Sequence, residues 1–166
     1  MANKQNFTPD EWTKVLQSGM LASMAVTAAE PSGLWGTLME TFAGGSAFAA
    51  SKHDPSANDL IKSVIADFET VQGRAAVQEA LRKGFGGVKQ AEIVERSLAH
   101  LREVSAILDV KAPDDAAAFK AWLRGISQRV AEASKEGSFL GVGGVQVSDA
   151  EKATLADISK ALGPSA

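Results

Sequence analysis

Apolar residues recur along this chain at steps of three and four, the spacing of one helical face, and runs of β-branched residues are scarce. The clearest stripe is Phe119, Trp122, Leu123, Ile126 and Val130, which predicts a helix over about Pro113–Lys135. Leu60, Ile61, Val64, Ile65 and Phe68 predict a second, with Asp54 as its cap and Pro55 at its first position. Val94, Leu98, Leu101 and Leu108 mark a helix near Lys89–Leu108, and Ala76, Val77, Ala80 and Leu81 a shorter one over about Gln72–Lys83. Trp35, Leu38, Met39, Phe42 and Phe48 place another at about Leu34–Lys52, with a kink or break at Gly44-Gly45.

Two starts are written out in local chemistry. Thr8 caps, Pro9 takes the first helical position and Glu11 closes the capping box, while Phe7 and Trp12 stand where a hydrophobic staple puts them. That helix continues through Val15, Leu16, Met20 and Met24 towards Ala29. Its small residues predict close packing against a neighbour, and Gly19 is a point where it can bend. The second start closes the stretch Gly137–Gly163, the run on which the sequence looks organised. There Ser148 and Glu151 form an S-x-x-E box, and Leu155, Ile158 and Leu162 share one face before the stop at Gly163-Pro164. The glycines ahead of it match neither G-x-x-x-x-G-K-[ST] nor G-x-G-x-x-G, and no strand precedes them. They read as a connector between packed helices rather than a phosphate cradle.

The expected fold is therefore all-α: a compact bundle of six or seven helices in one domain spanning residues 1–166. Val26-x-x-Ala29-x-x-x-Gly33, followed by Leu34-Trp35-Gly36, is echoed by Val130-x-x-Ala133-x-x-x-Gly137, followed by Phe139-Leu140-Gly141. The echo raises a pseudo-twofold internal duplication as an expectation. Composition agrees with helix, since alanine is abundant and tyrosine absent.

Charge and residue supply narrow the chemistry. Twenty acids and 17 bases leave a formal charge of −3, interspersed along helix faces, which disfavours a nucleic-acid binder. Without cysteine there is no disulfide, thiolate chemistry or Cys-based zinc site. No stretch reaches the ~18 apolar residues of a membrane span, and the first residues lack a signal-peptide core, so a soluble cytoplasmic protein is expected. His53 and His100 belong to neither H-E-x-x-H nor E-x-x-H, and no serine sits in a G-x-S-x-G elbow. His53 reads as a capping or surface residue and His100 as a partly buried structural one. Asp114 and Asp115 suit the first turn of their helix, while Asp67 and Glu69 at a helix end are less favourably placed. Trp12, Trp35 and Trp122 read as core. Phe85, Phe139 and Leu140 are large apolar residues in glycine-rich loops. They either plug the core or line a contact surface or pocket for an apolar small molecule.

Gly144-Val145-Gln146-Val147-Ser148-Asp149-Ala150-Glu151, followed by Leu155 and Ile158, resembles a segment of the TerB-like tellurite-resistance family. The resemblance covers some twenty residues, and its family fold is all-helical with internal pseudo-twofold duplication. It implies a stress-response role exercised through protein partners, without known catalysis. It also implies acidic metal binding near this helix start, although Gly143-Gly144 stands where the family usually has Asp-Gly. With the two halves packed face to face, Glu30, Glu136, Asp149 and Glu151 are the candidate ligands of a divalent cation such as calcium. The leading expectation is a non-enzymatic helical protein that binds proteins or a metal ion. A module for an apolar small molecule and an enzyme with an unrecognised site are the alternatives, and homo-oligomerisation is open.

Overall fold

The computed structural model describes residues 1–29, 48, 57–136 and 147–163, with the backbone alone for 134–136. Within them lie a 3-10 turn, Lys4–Asn6, and six α-helices. These are α1 (Pro9–Ala29), α2 (Asp59–Glu69), α3 (Val71–Phe85), α4 (Gln90–Lys111), α5 (Pro113–Glu136) and α6 (Asp149–Ala161). The described residues contain no strand, and the fold is a compact all-α one. No described helix is long and apolar enough to cross a membrane. The helix expected at Leu34–Lys52, its Gly44-Gly45 kink and the second half of each sequence echo lie outside the described residues, apart from Phe48.

Among the described residues the element at the centre is α1; of the stretch Gly137–Gly163, residues 137–146 lie outside the described residues and the rest form α6 and its flanks. Every residue from Val15 to Ala28 is buried, and α1 touches each of the other five described helices. A helix buried on all sides must solve its own polar problem. Ser18 donates to the Val15 carbonyl (2.7 Å) and Ser23 to the Gly19 carbonyl (3.0 Å), so both hydroxyls find partners within the helix. Gly19 does not interrupt α1. A Cβ there would lie 2.7 Å from the Phe48 ring, which packs on Phe68 (centroids 4.5 Å) and Trp122 (5.7 Å). Glycine at this position makes room for a ring.

The expected start of α1 is realised in full. Thr8 N–H donates to Glu11 (2.8 Å), Glu11 N–H to Thr8 Oγ1 (3.3 Å), and the Phe7 and Trp12 rings stand 5.6 Å apart. The start of the Leu60–Phe68 helix differs from the sequence expectation. Ala57 and Asn58 are non-helical, and α2 begins at Asp59 with Asn58 accepting from Ile61 N–H (2.9 Å). Asn58 also donates to the Asp115 carbonyl (3.2 Å), so this cap anchors α2 to α5, which a local Asp-Pro signal does not reveal. Asp54 and Pro55 themselves lie outside the described residues.

Between α2 and α3 the chain turns on one residue. Thr70 donates to the Asp67 carbonyl (2.6 Å) and accepts from Gly73 N–H (2.9 Å), ending one helix and capping the next. A Cβ on Gly73 would fall 2.0 Å from the Asp67 carbonyl oxygen, so the corner admits only glycine. Buried Lys120 donates to Asp109 (2.6 Å) across the corner between α4 and α5. At the far end of α6, Ser105 donates to the Leu162 carbonyl (3.1 Å) and Arg124 to that of Gly163. The main core runs from Phe7 and Trp12 through Leu60, Phe119 and Ile126 to Ile158 and Leu162. A smaller cluster gathers Leu21, Met24, Ala28 and Ile93.

Candidate functional site

The acidic residues expected to hold a cation fall into two groups. Glu30 and the side chain of Glu136 lie outside the described residues. Asp149 and Glu151 both sit in the first turn of α6, where backbone amides and the helix dipole favour negative charge, yet their surroundings are opposite. Asp149 is fully exposed, with Lys152 Nζ 3.4 Å away. Glu151 is buried and turned back on its own cap, accepting from Ser148 N–H (2.9 Å) while its own N–H donates to Ser148 Oγ (3.2 Å). The described residues bring together no group of three or more metal-ligating side chains. The arrangement therefore presents one carboxylate outwards beside a helix amino terminus and uses the other to close that terminus.

Phe85 ends α3, half-buried against Leu21, Met24, Ala28 and Ile93, as a plug of the smaller core cluster. Phe139 and Leu140 lie outside the described residues, as do His53 and Trp35. Trp12 and Trp122 belong to the core, as their stripes predict. Asp67, oddly placed at a helix end, has its reason in tertiary contacts: it accepts from the Trp12 indole (2.6 Å) and from Lys4 Nζ (3.0 Å). Asp115 is buried, accepts from Ala2 N–H (2.6 Å) and lies 3.8 Å from the Met1 amine.

His100 meets a residue that sequence reasoning missed. Antiparallel packing of α1 on α4 sets Gln17 against His100 and, one turn along, Lys14 against Glu103 (2.8 Å). The Gln17 amide nitrogen lies 2.5 Å from His100 Nε2, a bond the amide donates when the ring carries its proton on Nδ1. Gln17 is buried, and its Oε1 finds no hydrogen-bond partner among the described residues. Burial holds the His100 pKa below its ordinary value; Glu103 acts against that and Lys14 with it. The Lys14 hydrogen bond holds Glu103 below the usual carboxylate range. This is an imidazole in a helix seam, and among the described residues no hydrogen-bonded carboxylate orients it as a general base. Its one sequence signal is a lone amide inside the apolar run of α1.

Concavities lined by the described residues include two of interest. One, of about 460 Å³, lies beside the 3-10 turn and is lined by Lys4, Trp12, Ser63 and Asp67, the last already engaged as described. The other, of about 250 Å³, lies between α5 and α6. Compared with protein-family models, curated proteins and solved structures, the chain finds no match.

Proposed function

We propose that this chain is a non-enzymatic, cytoplasmic, all-helical binding domain, acting through protein or metal-ion contact at the amino-terminal end of α6. The observation that carries the reading is how the side chains that catalysis would need are used. His100 holds Gln17, Asp67 holds Trp12 and Lys4, Asp115 holds the first residues of the chain, and Glu151 closes its own cap. Each contributes to packing or capping, whereas the carboxylate of Asp149 stands in solvent beside the positive end of α6. The resemblance of Gly144–Ile158 to TerB-like proteins supports the same place on the chain and a stress-response setting.

Melting the protein in EDTA, in millimolar calcium and in millimolar magnesium tests the metal arm. A ligand that binds only the folded state raises the melting temperature by mass action. The expected result is a calcium-specific rise that Asp149→Asn removes. Equal melting in all three solutions would remove metal binding from the reading and leave protein contact.

A further inference from the structure

The cleft between α5 and α6 is lined by Arg124, Gly125, Ser127 and Gln128 on one side and by Leu155, Ile158 and Ser159 on the other. Its volume, about 250 Å³, suits a molecule smaller than most drug-like ligands. Ile158 is buried core and Leu155 packs against that core, so one wall is apolar. At Gly125 the opposite wall is bare backbone. Among the described residues a Cβ there would meet nothing nearer than Arg129 Nη1 at 3.9 Å, so this stretch of α5 faces the cleft with a guanidinium at its edge.

Arg124 supplies the second part. Its guanidinium donates to the Gly163 carbonyl, a neutral group, and no carboxylate pairs with it among the described residues. Its Nε is shielded from solvent and has no hydrogen-bond partner among the described residues. Buried guanidinium N–H groups ordinarily find an acceptor, and carboxylates take two of them side by side. Glu132, about two turns further along α5, accepts from Gln128 (2.9 Å). The cleft thus combines an under-bonded cation, an apolar wall and vacant space above a helical glycine.

We propose that this cleft binds a short-chain monocarboxylate, with its head on Arg124 and its alkyl chain over Leu155 and Ile158. The bound carboxylate takes the Arg124 Nε–H, and the side chains covering that atom part by the width of one oxygen. The site is separate from the carboxylate of Asp149 and does not depend on metal binding there.

The test melts the full chain with hexanoate, hexanol, hexylamine or inorganic phosphate at matched ionic strength. Hexanoate at several times its dissociation constant is expected to raise the melting temperature by roughly 2–4 °C. Hexanol, hexylamine and phosphate are expected to leave it unchanged. Gly125→Leu fills the open space and should abolish the rise while melting, without ligand, no lower than the parent. Arg124→Met should also abolish it, but it removes the tie to Gly163 as well, so Gly125→Leu is the decisive variant. Equal rises with hexanol or phosphate, no rise with hexanoate, or a rise surviving in Gly125→Leu would each overturn the proposal.

Discussion

Helices α1 and α6 open on the same device and live in opposite surroundings. In α1 the box of Thr8 and Glu11 is exposed, while the helix behind it is buried on every side from Val15 to Ala28. In α6 the box itself is buried at Glu151, while the helix behind it is amphipathic and covered on one face only. A capping box satisfies a few orphan amides and contributes on the order of 1 kcal/mol wherever it occurs. What differs is what else depends on it. The body of α1 is held by tertiary burial, so its cap is an ornament on a helix already fixed. The cap of α6 lies partly inside the packing, where a backbone amide deprived of its hydroxyl acceptor costs more than one left in solvent.

The largest expected effect lies in the middle of α1. Gly19→Ala should destabilise the protein by about 2 kcal/mol in urea unfolding, because its Cβ must displace the Phe48 ring from between Phe68 and Trp122. That outcome opposes helix propensity, which alone favours alanine by about 1 kcal/mol. Gly125→Ala on α5, with nothing among the described residues nearer than 3.9 Å, should show the propensity gain undisguised. A stabilising Gly19→Ala would break the contrast between interior and periphery.

Next come the caps. Ser148→Ala should cost about 1.5 kcal/mol and Thr8→Ala about 0.5 kcal/mol. In a chain of this length each kcal/mol shifts the melting temperature by about 2–4 °C. Equal losses would mean that the packing around the α6 cap adds nothing to the box.

The smallest effect is on the seam between α1 and α4. Burial lowers the folded-state pKa of His100 below the unfolded value of about 6.5, so the unfolded chain binds the proton first as pH falls. His100 therefore supports folding above about pH 6.5, and that support is lost as pH falls through the lower, folded-state value. Lys14 and Gln17 on α1 and Glu103 on α4 face this ring. Glu103, held low by Lys14, loses its own contribution only at more acidic pH. His100→Gln should flatten the mildly acidic limb of a stability–pH profile; a variant with an unchanged limb would place the titration elsewhere.

Local signals were legible, and assemblies of distant residues were not. Thr8 through Trp12, the Phe119–Val130 stripe and Ser148 with Glu151 each spell out their structure within a few residues, and each forms as spelled. The start of α2 departs from the local signal because Asp54-Pro55 reads as a strong helix start, whereas Asn58 makes its second bond to Asp115, 57 positions away. The central role of α1 was hidden for a related reason. Gln17, Ser18, Ser23 and Thr27 interrupt its apolar pattern, yet the two serines bond inside the helix and all four are buried. Of the four acids proposed for a cation, the sequence could place Asp149 and Glu151 at one helix start, but it could not say that only one faces outwards. Gln17 and His100 are 83 residues apart, and Arg124 gains its meaning only from Gly163 and the wall of α6.

Native-state hydrogen exchange is the most direct test that the protein is built around α1. Amides from Val15 to Ala28 should exchange only through global unfolding, with opening free energies equal to the stability measured by urea. Those of α6 should open at lower free energy, through a partial unfolding that leaves α1 protected. Faster exchange in the middle of α1 than in α6 would contradict that architecture and return the organising role to the carboxy-terminal stretch.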